Sequence, residues 1–280
     1  MKTILKNKYL KRLANLNDQL CYFQFNRNEL NKKLDNFGVN AKKLYLPDVF
    51  AQNSMASRIN VTLEKLPDFQ LENQTVTFGS YISTSYEVTS NYLKDSIQLL
   101  EDFNPSTYQL SYNNQLEEQY ILTLTNSGYN IIDREIIDTL KYIRLRRNHF
   151  THLADSILPN FTSLITTEGS TLNNYWSGTI NSLDFTSTNI LSFNEEETID
   201  IIKLLKIIVE RIDINLISNL SNEGIIKYLS KKEFENNPQR INGDVIKQRI
   251  KKILVLGKHE FGVTLLENEI EPIVKTIGTR

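Results

Sequence analysis

Apolar residues recur every three or four positions along most of the chain, and polar residues fill the positions between them. This spacing places the apolar side chains on one face of an α-helix. A further helix is expected to begin at Asn130 as its N-cap and to carry residues 141–155. The other predicted helices are 3–24, 28–37, 80–103, 114–125, 195–221, 223–230, 243–256 and 265–277. The pattern therefore predicts an all-α fold, a bundle of packed helices.

Two stretches depart from the helical spacing. Residues 39–78 contain two short β-branched runs, INVTL and TVTF, that favour strands. Residues 159–194 are rich in Ser, Thr, Asn and Gly, which predicts a long polar insertion, either a β-hairpin or an ordered loop. The breaks divide the chain into three predicted regions: an N-terminal helical and irregular region at 1–78, a helical bundle at 79–221 and a C-terminal helical region at 222–280.

One arginine falls on the apolar stripe of the helix that begins near Asn130. The stripe consists of Ile132, Ile136, Leu140 and Ile143. Its spacing puts Arg147 at the next inward position. Burying an unpaired charge is very unfavourable, so we expect Arg147 to be paired, to reach solvent or to face a cleft. Asn148 and His152 share a face one turn apart, and His149 lies close to both.

Composition limits the classes of function. The 280 residues carry a formal net charge of −1, so any contact with RNA or DNA must come from a local basic patch. No apolar run is long enough for a membrane span or a signal peptide, so we expect a cytoplasmic protein with no membrane partner. The single cysteine, Cys21, excludes an internal disulfide and is expected to be a small core residue. No nucleotide or cofactor motif is present, and we expect no cofactor.

Arg147, Asn148 and His152 together suit the cleavage of RNA without a metal. An imidazole can take a proton from a ribose 2′-OH or give one to the leaving 5′-oxygen. A guanidinium stabilises charge on the phosphate oxygens, and the amide can orient the imidazole. The structural alternative is a solvated basic helix end that pairs with carboxylates of a neighbouring helix. A metal site at His149, His152 and Asp155 is not favoured, because helical geometry spreads these residues around the helix.

The sequence RNHFTH at residues 147–152, on a long helix followed by another long helix, resembles the HEPN superfamily (higher eukaryotes and prokaryotes nucleotide-binding). The family motif is an arginine, a polar residue that is often asparagine, and a histidine a few residues later. Arg147, Asn148 and His152 match it position by position. The resemblance implies a helical bundle and a metal-independent endoribonuclease of prokaryotic toxin–antitoxin, abortive-infection or CRISPR-linked defence.

The resemblance also implies a homodimer in which the motifs of two protomers meet in one composite cleft. The implied site residues are Arg147, Asn148 and His152 for catalysis, and Arg144, Arg146 and His149 for RNA contact. The implied partners are an RNA substrate and an antitoxin or regulatory protein, which the terminal regions could bind. The chain departs from one toxin subgroup at Ala154, where that subgroup carries a tyrosine.

Two other functions remain open. A non-catalytic HEPN-like helical module would bind a partner protein or a nucleotide with the same fold, and it would keep its function without His152. A helical scaffold subunit would use Arg147 only for an ion pair across an oligomer interface, and variants that restore the charge balance would then rescue its stability.

Overall fold

The structure is a computed structural model that describes residues 3–37, 41–104, 115–152, 156–190, 193–236 and 238–277. These residues form ten α-helices and no β-strand, which confirms the all-α prediction. The helices are α1 (Ile4–Leu34), α2 (Leu46–Val49), α3 (Leu66–Phe103), α4 (Leu116–Asn126), α5 (Arg134–Thr151), α6 (Pro159–Tyr175), α7 (Glu195–Asn219), α8 (Asn222–Ser230), α9 (Gly243–Leu256) and α10 (Glu267–Val274). No helix in these ranges is long and apolar enough to cross a membrane.

The helices divide between two compact units. Unit 1 comprises Met1–Leu13, Tyr86–Lys141 and Leu204–Arg280, and unit 2 comprises Ala14–Ser85 and Tyr142–Lys203. Helices α1, α3, α5 and α7 each contribute residues to both units. The units therefore do not follow the three regions that composition predicts, and α3 runs through the expected boundary between residues 78 and 79.

The N-terminal part of the chain is more helical than its pattern predicts. The two predicted N-terminal helices are one continuous helix, α1, and the expected helix stop at Gly38 lies outside the described residues. The run TVTF belongs to α3, because packing overrides the weak strand preference of β-branched residues. In the run INVTL, Thr62 forms only an isolated antiparallel bridge with Tyr45. Cys21 is exposed on α1, so the prediction of a core cysteine is wrong.

The predicted polar insertion is helical in its first half, which forms α6. The buried apolar residues of α6 follow helical spacing and are Phe161, Leu164, Ile165 and Leu172. Trp176 directly follows α6 and is 2% exposed. The loop after it is ordered by Asp200 of α7, whose Oδ2 accepts the backbone N–H groups of residues 181–183 at 2.7–3.0 Å. Polar composition here reflects a solvated helix face and a capped loop.

Unit 1 buries a paired carboxylate. Asp213 of α7 is fully buried and accepts the backbone N–H of Thr3 and the hydroxyl of Tyr92, each at 3.3 Å. The ammonium of Lys6 lies 3.5 Å from the same carboxylate. Burial, and then Asp213, raise the pKa of the Tyr92 hydroxyl well above its usual range. These hydrogen bonds and the ammonium of Lys6 replace the interactions with water that the Asp213 carboxylate loses on burial.

Two polar residues of unit 1 hold loops and helix ends. Asn130 lies before the start of α5 and does not cap it; its N–H donates to Oδ1 of Asn219 at 2.7 Å instead. Arg249 of α9 is buried and donates to the carbonyl oxygen of Val274 at 2.9 Å. That carbonyl belongs to the last residue of α10, so the guanidinium satisfies a group that the helix itself leaves unpaired.

Candidate functional site

The motif lies at the C-terminal end of α5, in unit 2. His152 is the first residue after the helix, and its N–H still donates to the carbonyl oxygen of Asn148 at 2.9 Å. The hydroxyl of Thr151 donates to the carbonyl oxygens of Arg147 and Asn148 at 3.1 and 3.2 Å. The backbone is therefore helical up to His152, and Asn148 and His152 lie on one face, as the spacing predicts.

Solvent reaches all three residues that match the motif. Arg147 and Asn148 are half-buried, and His152 is exposed. The Nη1 of Arg147 donates to Oδ1 of Asn148 at 3.0 Å. No hydrogen bond within the described ranges reaches the His152 ring. The structure thus brings the guanidinium and the amide together, and it leaves the His152 side chain exposed at the helix end.

Arg146 occupies the inward position that the stripe assigned to Arg147. Its side chain is 1% exposed, and its Nη1 forms a buried ion pair with Oε1 of Glu197 at 2.6 Å. The guanidinium carbon also lies 5.0 Å from the ring centre of Phe193. Burial opposes the charged form, but Tyr142 and Glu197 outweigh it and raise the pKa of Arg146. Arg146 is therefore a core residue here, and it has no surface to offer RNA, contrary to the prediction.

His149 also points into the core. It is 2% exposed, and neither ring nitrogen has a hydrogen-bond partner in the part of the chain that the structure describes. Its burial removes it from the predicted RNA contacts. The metal alternative joined His149 to His152, which is exposed, and to Asp155, which lies outside the described residues together with Ala154. Across the described ranges no three His, Cys, Asp or Glu side chains gather as metal ligands.

Close packing against α3 holds the end of α5 that carries the motif. The ring of Phe150 rests on Gly79, so closely that a Cβ atom at Gly79 would lie 2.4 Å from ring carbons. The same ring meets Phe193 edge to face, with centroids 5.4 Å apart. Only a residue without a side chain allows this approach, and the contact fixes the position of the helix end.

Sequence patterns pointed to some of these residues and missed others. Arg144 is half-buried one turn before Asn148, so it is the predicted RNA contact that keeps access to solvent. Glu197 was missed because it follows two other glutamates in the first turn of α7, where acidic residues are common. An arginine on an apolar stripe is the signal that could have prompted a search for such a carboxylate. Gly79 was not identified because the predicted helix begins only at residue 80, whereas the observed helix α3 begins at Leu66.

Comparison with known proteins does not place the chain in a family: no family model matches it, and neither the curated proteins nor the solved structures yield a match. The resemblance to HEPN proteins therefore depends on the motif at residues 147–152 and on its helical setting. The function must be argued from the geometry of that helix end.

Proposed function

We propose that the chain is a metal-independent endoribonuclease of HEPN type, with Arg147, Asn148 and His152 at its reaction centre. The observation that supports this most is a contrast along α5. The three residues that match the motif reach solvent, whereas the neighbouring Arg146 and His149 are held in the core. The motif residues are therefore accessible to a substrate, while Arg146 and His149, which point to other sides of the helix, pack in the core.

The proposed reaction needs two proton transfers. One imidazole accepts the proton of a ribose 2′-OH, the 2′-oxygen attacks the phosphorus, and the bond to the 5′-oxygen breaks. A second imidazole protonates the leaving oxygen, so the products are a 2′,3′-cyclic phosphate and a 5′-hydroxyl. Arg147 neutralises the charge on the non-bridging oxygens. Since each chain offers His152 alone at the motif surface, a homodimer with a composite cleft would supply both imidazoles.

The wider setting of this proposal comes from the resemblance. We expect an RNA substrate, a role in prokaryotic defence, and an antitoxin or regulatory protein that restrains the enzyme. Arg144 is expected to contact the phosphate backbone beside the reaction centre, because its half-buried side chain lies one turn before the motif.

The test is cleavage of labelled single-stranded RNA by the purified full chain in the presence of EDTA. His152→Ala and Arg147→Ala should each reduce the rate by about 10²–10⁴-fold, the usual contribution of a positioned acid, base or charge-stabilising group. His259→Ala is the matched control, because His259 is an exposed histidine of unit 1. The new ends should resist a phosphomonoesterase until acid opens the cyclic phosphate. Equal cleavage by all four proteins would exclude the proposed centre.

A non-catalytic helical module is the second candidate. The observation that favours it is the burial of Arg146 and His149, which leaves Arg144 as the predicted RNA contact that solvent reaches. The positive surface at the motif is thus smaller than the sequence predicts. If the chain is such a non-catalytic module, wild type leaves RNA intact, and a partner protein or nucleotide binds equally well to wild type and to His152→Ala.

A further inference from the structure

A second feature of unit 2 is a cavity of about 620 Å³ that shares no lining residue with the motif. It lies between the C-terminal half of α1, the start of α3 and the segment at 46–59. Its volume falls within the range of about 300–1,000 Å³ that small-molecule sites occupy. The cavity is therefore large enough for a small ligand.

The greater part of the cavity wall is apolar. The larger apolar lining residues are Phe23, Leu30, Phe50, Met55, Ile59 and Phe69. Three of them leave much of their surface in water: Met55 is 56% exposed, Phe69 39% and Leu30 36%. Apolar side chains that converge on a cavity and remain exposed to solvent are expected where an apolar ligand covers them.

The polar part of the wall carries excess positive charge. Arg27 and Lys33 line the cavity, and the one lining carboxylate, Glu29, is paired with Lys32 at 2.7 Å. One end of the Arg27 guanidinium donates to Gln74. Its Nε is buried and has no hydrogen-bond partner among the residues that the structure describes. The half-buried Arg27 and the exposed Lys33 therefore give this part of the wall a positive charge that an anionic group would neutralise.

We propose that this cavity binds a small amphipathic anion, with an aromatic or aliphatic body and one carboxylate or phosphate group. The anionic group bonds to Arg27 and Lys33, and the body covers the aromatic wall. A neutral ligand would leave the positive charges of Arg27 and Lys33 without a counter-charge in the cavity. A ligand with charges at both ends would have to bury one of them against apolar side chains, which is strongly unfavourable.

Fluorescence titration with anilinonaphthalene sulfonate, an aromatic anion, tests binding to the full-length protein. The dye should bind at one site per chain. Decanoate and decyl phosphate should displace it at concentrations at least tenfold lower than decanol, and the tighter of the two identifies the preferred anionic group. Displacement by decanol at the same concentration would show that the cavity does not select an anion, and the proposal would be wrong.

Substitutions separate the charged from the apolar part of the site. Arg27→Gln combined with Lys33→Gln should weaken decanoate binding at least tenfold, as expected for the loss of charge-assisted hydrogen bonds, and leave decanol unaffected. Lys43→Gln, an exposed lysine of unit 2 outside the cavity, should bind like wild type. Asn73→Trp, at an exposed lining position, should fill the mouth and weaken every ligand.

Unchanged decanoate affinity in the double variant would overturn the proposal. If that variant loses its helical circular dichroism, Lys33→Gln alone decides the matter, because Lys33 is exposed and its loss should still weaken decanoate severalfold. The assay contains no RNA, so its outcome is independent of whether the motif on α5 cleaves RNA.

Discussion

Replacing Glu197 by glutamine removes the charge that pairs with Arg146 and keeps the size of the side chain. The side chains of Arg146 and Glu197 are 1% and 10% exposed, and their paired atoms are 2.6 Å apart. Water therefore cannot take the place of the carboxylate. The guanidinium would remain in the core, facing a neutral amide and the ring of Phe193.

The expected loss of stability follows from this geometry. Removing one partner of a buried ion pair costs about 3–5 kcal/mol. The amide oxygen of glutamine still accepts a hydrogen bond, so we expect the lower end, about 3 kcal/mol. At roughly 2–4 °C per kcal/mol for a chain of this size, Tm should fall by roughly 6–12 °C.

Thermal unfolding followed by far-ultraviolet circular dichroism at neutral pH measures this shift. Glu196→Gln is the matched control, because Glu196 is exposed in the same helical turn and its loss should cost less than about 1 kcal/mol. Arg146→Met combined with Glu197→Leu should recover most of the lost stability, since apolar replacement of a buried pair is often neutral. An unchanged Tm for Glu197→Gln, or a double variant weaker than the single one, would refute the structural role of Arg146.

Three further predictions concern packing, a loop and alkaline pH. Gly79→Ala should lower the free energy of unfolding by about 1–3 kcal/mol in urea titrations, because the new methyl group would lie 2.4 Å from the Phe150 ring. An unchanged urea midpoint would mean that the Phe150 ring can move away without loss of stability. Asp200→Asn should cost about 1–3 kcal/mol in the same assay, because a neutral oxygen would replace a carboxylate that accepts three backbone N–H groups, and equal midpoints would count against that role. Burial, and then the hydrogen bond to Asp95, raise the pKa of Tyr9 from an ordinary value of 10.0 to about 12. The shift stabilises the folded chain fully below pH 10.0, and this stabilisation is lost as the pH rises toward about 12. Wild type should therefore lose stability more steeply than Tyr9→Phe across that window, and parallel pH profiles of urea unfolding would contradict this.

Local signals account for the helices that the sequence predicts best. α9 was expected at 243–256 and is observed at Gly243–Leu256, because the side chain of Asn242 caps it and its apolar spacing is regular. α6 was missed because its exposed face is made of Ser, Thr and Asn, which in isolation favour turns. Burial of its few apolar residues determines its conformation, and that burial depends on other parts of the chain.

The difference between local sequence signals and packing against distant parts of the chain also applies to the candidate site. From Ile143 an apolar stripe continues either three or four residues later, and both positions carry arginines. The nearby sequence does not choose between Arg146 and Arg147. The choice depends on Glu197, which lies in another helix and forms an ion pair with the inner arginine, Arg146. The identity of the motif residues is thus a local property of the sequence, whereas their exposure depends on long-range packing.

Trp176 gives the chain an optical probe of one unit. It is the single tryptophan of the 280 residues, it is 2% exposed and it belongs to unit 2. Its emission reports on the environment of that unit, whereas circular dichroism averages over helices of both. Unfolding curves from the two signals coincide if the units unfold as one cooperative system and separate if they do not. The natural sequence therefore allows the coupling between the units to be measured without an attached label.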